Sequence, residues 1–176
     1  MIVAYQGAPG AFSHEACLRY LPDHEAIGVA AFADVVEAVE AGRADLGILP
    51  LSNNEAGETG ARSLIASSGL RIAAQHVLPV RMHLLGLPSA TLDGIRTVAS
   101  HPVALRQCAA TLTRLGVYTE EATNTAVAAR GLSRVDHGVL ASQAASQLYG
   151  LAILMRDLQD RPDNATTFAI VARSQP

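Results

Sequence analysis

FADVVEAVEAGRADLGILPLSNNEAG, residues 32–57, contains a helix, a strand and a polar turn in direct succession. Four apolar residues from Phe32 to Val39 recur at i, i+3, i+4, i+7 spacing, which predicts a helix, and Gly42 follows where a helix ends. The apolar run at 46–49 is typical of a buried strand. A helix that leads into a buried strand is the repeating unit of a mostly parallel sheet covered by helices.

The same alternation continues along the rest of the chain, so the sequence predicts an α/β fold. The predicted strands are 2–5, 27–32, 46–49, 72–85, 97–99, 138–141 and 167–172. The predicted helices are 13–20, 32–41, 61–68, 103–115, 125–134 and 142–149.

The composition limits the classes of partner. Of 176 residues 49% are hydrophobic, 16% are charged, and the net charge is −3, which argues against a nucleic-acid partner. The apolar runs are interrupted by Gly, Pro or charged residues, so we expect no membrane span. The opening MIVAYQG is typical of a strand and carries no secretory signal, so we expect a cytoplasmic protein.

The cysteine and histidine residues do not have metal-ligand spacing. Cys17 and Cys108 form no CxxC, and the six histidines form no HxH or HxxxH pair. We therefore expect two buried reduced thiols, no metal and no cofactor.

Small polar residues follow one predicted strand after another. The turns are QGAPGAFSH after Tyr5, PLSNNEAG after Leu49, SHPVAL after Ala99, TNTAVAA after Ala122 and ASQAAS after Leu140. Each turn before a helix offers backbone N–H groups, polar side chains and the positive end of the helix dipole. Each turn alone is explained better by an ordinary helix cap. Together at the carboxyl edge of a sheet, they are typical of a shared binding site for an anion.

Six segments resemble, in order, the motifs of the prephenate dehydratase family. They are VAYQGAPGAFSHEA at 3–16, the opening segment at 32–57, VASHPVALRQC at 98–108, NTAVAA at 124–129, ASQAASQLYGLAIL at 141–154 and LQDRPDNATTFAIV at 158–171.

The resemblance implies two α/β lobes around a central cleft, as in type II solute-binding proteins. Strand–helix alternation restarts after 72–85, so we assign residues 1–77 and 158–176 to lobe 1 and 78–157 to lobe 2. The family's habit implies a homodimer or a higher homo-oligomer. The sequence ends after VARSQP, so we expect neither the family's C-terminal regulatory domain nor inhibition by phenylalanine.

The resemblance also implies the site residues and the reaction, conversion of prephenate to phenylpyruvate, carbon dioxide and water. Thr166 matches the residue that donates a hydrogen bond to the departing hydroxyl, and Asn53 and Gln107 match other catalytic positions. The implied substrate-binding residues are Ser13, Ser100, Asn124, Thr125 and Phe168.

Several of these residues also have purely structural interpretations. Thr166 suits a strand start and Asn53 suits a turn. Ser100 is a candidate helix N-cap because Pro102 follows in the first helical turn. Gln107 is either a buried pocket amide or a solvent-facing residue.

The sequence departs from the family motifs inside the implied site. Thr167 replaces an arginine, Ser52 and Asn54 replace the residues on either side of Asn53, and Val103 replaces a glutamine. His83 lies one place later than usual, which on a strand turns it to the opposite face. Arg62, Arg81 and Arg156 are candidates for the missing positive charge.

Three functions therefore remain open. The first is prephenate dehydratase, with arogenate as a possible second substrate. The second is a non-aromatising prephenate decarboxylase, a reaction that needs no donor to the hydroxyl. The third is a catalytically silent carboxylate-binding or sensing module, in which closure of the lobes is the signal.

Overall fold

A computed structural model describes residues 1–174, which divide into two compact units. Unit 1 contains Met1–Ala8, Phe12–Pro79 and the C-terminal segment from Ala165, and unit 2 contains Pro9–Ala11 and Val80–Asn164. Each unit has its own mixed sheet with helices packed on it. The predicted α/β class, with two sheets, is confirmed.

The described residues form eleven strands and seven α-helices. The strands are Ile2–Gln6 (β1), Glu25–Val29 (β2), Leu46–Asn53 (β3), Gly57–Glu58 (β4), Leu70–Pro79 (β5), His83–Gly86 (β6), Thr97–Ser100 (β7), Tyr118–Glu121 (β8), His137–Ala141 (β9), Ala152–Met155 (β10) and Ala165–Arg173 (β11). The helices are Phe12–Tyr20 (α1), Phe32–Glu40 (α2), Ala61–Ala66 (α3), Pro102–Gln107 (α4), Ala109–Leu115 (α5), Thr125–Arg130 (α6) and Gln143–Tyr149 (α7). None of these helices has the length and apolar character needed to cross a membrane.

The sheet of unit 1 has the strand order β2-β1-β3-β11-β5, with β4 paired to β3. β1 runs parallel to β2 and β3, whereas β11 runs antiparallel between β3 and β5. Helices α2 and α3 pack on one face of this sheet, and α1 packs on the other. The last strand of the chain therefore lies next to β3 and brings the residues around Asn53 and Thr166 together.

Gly47 lets α2 approach β3 closely. A Cβ at this position would lie 2.8 Å from Val35 Cγ1 and 3.0 Å from Val171 Cγ2. We expect Gly47→Ala to lower the free energy of unfolding in urea by about 1–3 kcal/mol, because a methyl group overpacks this contact. Gly69→Ala is the matched control, since its nearest neighbour would be 3.6 Å away, and it should change stability little. Equal stability of the two variants would contradict this account.

The sheet of unit 2 has the order β10-β6-β9-β7-β8. β7 runs parallel to both β8 and β9, so the carboxyl ends of these three strands lie at one edge. The chain passes from them into α4, α6 and α7. Three of the predicted strand-to-helix turns, those after β7, β8 and β9, therefore lie together at one edge of the sheet in unit 2.

The strand predicted at 72–85 is two strands in different sheets. Pro79 ends β5 because it has no N–H, and the next residues bond to a different part of the chain. The N–H of Val80 donates to Asn164 O (2.8 Å), and that of Met82 donates to Gln159 Oε1 (2.9 Å). The apolar pattern runs through this junction without a break, which is why the sequence did not reveal it.

The helix predicted at 103–115 is broken at Cys108. The Asp160 carboxylate accepts hydrogen bonds from the N–H groups of Ala110 (2.9 Å) and Thr111 (3.2 Å), and so caps α5. The N–H of Asp160 donates to Gln107 O at the end of α4 (2.7 Å). These bonds attach residues 158–164 to unit 2, whereas the predicted last part of lobe 1 begins at 158.

Strands β8 and β10 have no counterpart among the predicted strands. All four residues of β8 are exposed, so this edge strand lacks the apolar alternation that identifies a strand. β10 lies at the opposite edge of the same sheet and its four residues are only partly buried.

Both cysteines are buried thiols outside any disulfide, as predicted. Burial raises the pKa of Cys17 to about 12, so this thiol stays protonated and unreactive at neutral pH.

Candidate active site

Asn53 and Thr166 form a direct side-chain hydrogen bond in unit 1. They are paired residues of β3 and β11, although 113 positions separate them in the chain. Asn53 Nδ2 donates to Thr166 Oγ1 (3.0 Å) and to Ala165 O (3.1 Å). Thr166 is 9% exposed, so its hydroxyl is largely shielded from bulk water.

The turn after β3 fixes the orientation of the Asn53 amide. Its Oδ1 accepts the N–H groups of Glu55 (3.0 Å) and Ala56 (2.8 Å). The amide oxygen is therefore directed at the turn and the NH₂ group at β11. Asn53 therefore stabilises the turn and donates to Thr166 at the same time, so its structural role and its interaction with Thr166 are compatible.

The turn PLSNNEAG does not lead into a helix, so the strand-to-helix expectation for it is wrong. β3 continues to Asn53, and the chain then reverses into the short strand β4. Asn54 closes this turn on β11, because its N–H donates to Ala165 O (3.1 Å) and its Oδ1 accepts the N–H of Ala165 (2.9 Å). Asn54, which departs from the family motif, thus holds Ala165, the residue before Thr166, in place.

Residues of β11 alternate between the two faces of the sheet. Phe168 belongs to the apolar cluster on the α1 side, and Ala169 belongs to the cluster on the α2 side. Thr166 pairs with Leu78 of β5, which belongs to the same cluster as Phe168, so Thr166 shares that face and Thr167 points to the opposite one. The side chain of Thr167 takes no part in the hydrogen bond between Asn53 and Thr166.

Phe168 is 2% exposed and packs with Tyr5 and Leu78. Ser13 is nearly buried in the first turn of α1, and the neighbouring His14 ring stacks on Tyr5 with 5.2 Å between ring centroids. Burial lowers the pKa of His14, which favours a neutral imidazole over a cation at neutral pH.

Three side chains cap the helices at the carboxyl edge of the sheet in unit 2. His101 Nδ1 accepts the N–H of Val103 (3.2 Å), and Asn124 Oδ1 accepts the N–H of Val127 (2.9 Å). Ser142 Oγ accepts the N–H of Ala145 (3.1 Å). Thr125 is the first residue of α6 and is partly buried.

The alternative prediction that Ser100 caps α4 is wrong. Pro102 is the first residue of the helix, which makes His101 the N-cap. Ser100 is fully buried at the end of β7, and its hydroxyl donates to Leu140 O on β9 (2.8 Å).

Gln107 is a buried residue, 5% exposed, which settles the choice between a buried amide and a solvent-facing side chain. It ends α4, and its carbonyl oxygen accepts the bond from Asp160 described above.

Ser142 and Tyr149 hold the segment Pro9–Ala11 against α7. Ser142 Oγ donates to Gly10 O (2.7 Å), and the Tyr149 hydroxyl donates to Pro9 O (2.5 Å). All these residues belong to unit 2. Tyr149 lies in the segment 141–154, which resembles a family motif, but its position there does not indicate this contact.

The three candidate arginines differ in their surroundings. Arg62 is an exposed partner of Glu58 (3.4 Å), and Arg81 donates to Pro162 O (3.2 Å). Arg156 is exposed. His83 does not supply the charge, because burial lowers its pKa and its Nδ1 accepts the N–H of Asp157 (3.2 Å). Within residues 1–174, no three His, Cys, Asp or Glu side chains are grouped to hold a metal ion.

Comparison with known proteins gives consistent matches over nearly the whole chain. A family model described as prephenate dehydratase matches residues 3–176. Arogenate dehydratase/prephenate dehydratase 1 of Arabidopsis thaliana is 37% identical over 175 residues, covering 97% of this chain and 45% of that protein. A bifunctional N-acyl-homoserine lactone acylase/prephenate dehydratase of Komagataeibacter europaeus is 37% identical over 176 residues, covering 98% and 63%.

A solved structure has the same fold. It is a prephenate dehydratase of Arthrobacter aurescens in complex with L-Phe, which is 26% identical and has a TM-score of 0.90. The match covers 100% of this chain and 61% of that one. The chain spans about half the length of the plant relative and less than two thirds of the other two. On the family model and these relatives, the chain belongs to the prephenate dehydratase family.

Proposed function

We propose that this chain catalyses the decarboxylating dehydration of prephenate to phenylpyruvate, with Thr166 as the hydrogen-bond donor to the departing hydroxyl. The observation that carries the proposal is the hydrogen bond from Asn53 Nδ2 to Thr166 Oγ1. Membership of the family supports the substrate, and the names of plant relatives extend the proposal to arogenate.

The reaction needs little from the protein besides orientation and one donor. As the ring carboxylate leaves as carbon dioxide, its bonding electrons move through the ring and expel the hydroxyl from the opposite carbon as hydroxide. The ring becomes aromatic, and one proton from solvent converts hydroxide to water. Negative charge therefore develops on the departing oxygen, which is where a fixed donor accelerates the reaction.

The Asn53 amide prepares the Thr166 hydroxyl for this task. Because Oγ1 already accepts a hydrogen bond from Nδ2, its own hydrogen is directed elsewhere and is the group offered to the substrate. When that hydrogen is shared with the departing hydroxide, charge shifts onto Oγ1, and the N–H of Asn53 stabilises it. Threonine thus acts as a positioned donor and does not ionise.

The remaining residues bind and orient the substrate in this proposal. The Asn124 oxygen caps α6, which leaves its NH₂ group as a donor for a carboxylate. Ser13, Thr125 and the buried Gln107 amide supply further polar groups, and Phe168 supplies an apolar wall next to Thr166. Ser100 holds the end of β7 in place through its bond to Leu140 O.

Incubation with prephenate and, separately, with arogenate tests the proposal. We expect phenylpyruvate from prephenate, identified by chromatography and corrected with a protein-free blank for spontaneous aromatisation. A non-aromatic decarboxylated product would instead identify a decarboxylase. Binding of prephenate without turnover would identify a silent carboxylate-binding module. Phenylalanine formed only from arogenate would reassign the substrate.

A further inference from the structure

The loop between β1 and α1 is attached to α7 at two consecutive carbonyl groups. Tyr149 donates to Pro9 O (2.5 Å), and Ser142 donates to Gly10 O (2.7 Å). Pro9 is exposed at the surface, whereas Gly10 and Ser142 are buried. Two hydroxyl donors on one helix therefore fix a short segment that has no place in either sheet.

Gly10 fits closely against the same helix. It adopts φ +90°, and a Cβ there would lie 3.1 Å from Ala145 Cα and 3.2 Å from Tyr149 Cε2. Any other residue would be strained in this backbone conformation and would also push the loop off α7. The loop packs closely against α7 because Gly10 and Ala145 are both small. The hydroxyls of Ser142 and Tyr149 then hold it there by hydrogen bonds.

The loop leads directly into residues assigned to substrate binding. α1 begins at Phe12, immediately after the attached segment, and Ser13 follows. A strand-to-helix turn of this kind presents backbone N–H groups that suit a carboxylate, provided that the turn is held in one conformation.

We propose that Tyr149 and Ser142 are positioning residues, which keep the Pro9–Ala11 loop in the conformation that binds the substrate. The inference rests on the proposed function and deepens it. It also assigns a physical role to the segment 141–154, in which Ser142, Ala145 and Tyr149 contact the loop.

A positioning role predicts a specific kinetic pattern. Loss of one attachment lowers the fraction of protein whose loop is ready to bind, and this raises the apparent dissociation constant by the same factor. The bound substrate and the transition state both need the ordered loop, so the effect falls on KM and spares kcat.

Tyr149→Phe is the direct test, because it deletes the hydroxyl and keeps the ring that packs on Gly10. We expect KM for prephenate to rise about three- to tenfold, the equivalent of one hydrogen bond, with kcat unchanged. Hydrogen exchange of the backbone amides in residues 7–13 should become faster. Tyr20→Phe is the matched control, because Tyr20 also donates to a backbone carbonyl, Val77 O on β5 (2.8 Å). It should lower stability to a similar extent and leave KM and the exchange of residues 7–13 unchanged.

Ser142→Ala provides a second measurement on the same loop. It removes the bond to Gly10 and the cap of α7, so KM should rise and the protein should also lose stability. The positioning role is refuted if wild-type protein converts prephenate and Tyr149→Phe keeps both its KM and its slow exchange. Absence of phenylpyruvate with wild-type protein refutes the proposed function itself. The wild-type assay, run in parallel, therefore distinguishes failure of the proposed function from failure of the positioning role.

Discussion

Thr166→Val is expected to lower kcat for phenylpyruvate formation about 10²–10³-fold, with KM for prephenate changed by less than about twofold. The donor interaction strengthens only as charge builds on the departing hydroxide, so its loss is felt in the transition state and not in substrate binding. Valine keeps the volume and the branch at Cβ, and the packing of β11 should hardly change. The bond from Asn53 loses its acceptor, at a cost of about 1 kcal/mol in the free energy of unfolding.

Thr167→Val is the matched control for this variant. It makes the same chemical change one residue later, on the opposite face of β11, and should leave kcat near the wild-type value. Steady-state kinetics with prephenate and urea denaturation of both variants separate a catalytic effect from a structural one. If Thr166→Val turned over at nearly the wild-type rate, Thr166 would be structural and the mechanism proposed above would fail. Retained decarboxylation without aromatisation would favour the decarboxylase.

The layout of the fold was predictable where apolar periodicity matched a single element. The spacing from Phe32 to Val39 predicted α2, and LGIL predicted the buried part of β3. Prediction failed where the decisive contact came from elsewhere in the chain. The break at Cys108 depends on the Asp160 carboxylate, and the end of β5 depends on bonds from Val80 and Met82 to residues near the C-terminus.

In the candidate site, too, contacts between distant parts of the chain could not be predicted. Asn53 and Thr166 were each identified by the motif in which they lie, but nothing local in the sequence indicates that they touch. Their contact requires β11 to insert next to β3, and Tyr149 similarly meets Pro9 only through the tertiary fold. Ser52, Asn54 and Thr167 are departures from the family motifs, and they keep the decarboxylase and the silent module open as alternatives. In the structure Asn54 fixes Ala165, and Thr167 lies on the opposite face of β11 from Thr166.

Asn53→Asp is expected to lower kcat about 10²–10³-fold at neutral pH, as much as loss of the Thr166 hydroxyl itself. The carboxylate still accepts the N–H groups of Glu55 and Ala56, so the turn should persist. It no longer donates to Thr166 Oγ1, and the threonine hydrogen turns to the carboxylate because a charge-assisted hydrogen bond is stronger than a neutral one. The Thr166 hydroxyl then donates to this carboxylate and no longer to the substrate.

Three measurements make this prediction specific. Asn54→Asp adds the same charge one residue away and keeps its bond to the N–H of Ala165, so any repulsion of the substrate dianion appears there, mainly in KM. The double variant with Thr166→Val should be no slower than the slower single variant, since the two residues act as one unit. The loss in Asn53→Asp should also shrink as the pH falls through the pKa of the new carboxyl, because a protonated carboxyl has an O–H to donate to Oγ1. A deficit in kcat that Asn54→Asp reproduces in full would show that charge alone is responsible. A deficit that stays constant with pH would show that neither the charge nor the lost donor is the cause, and either result would refute the orientation of Thr166 by Asn53.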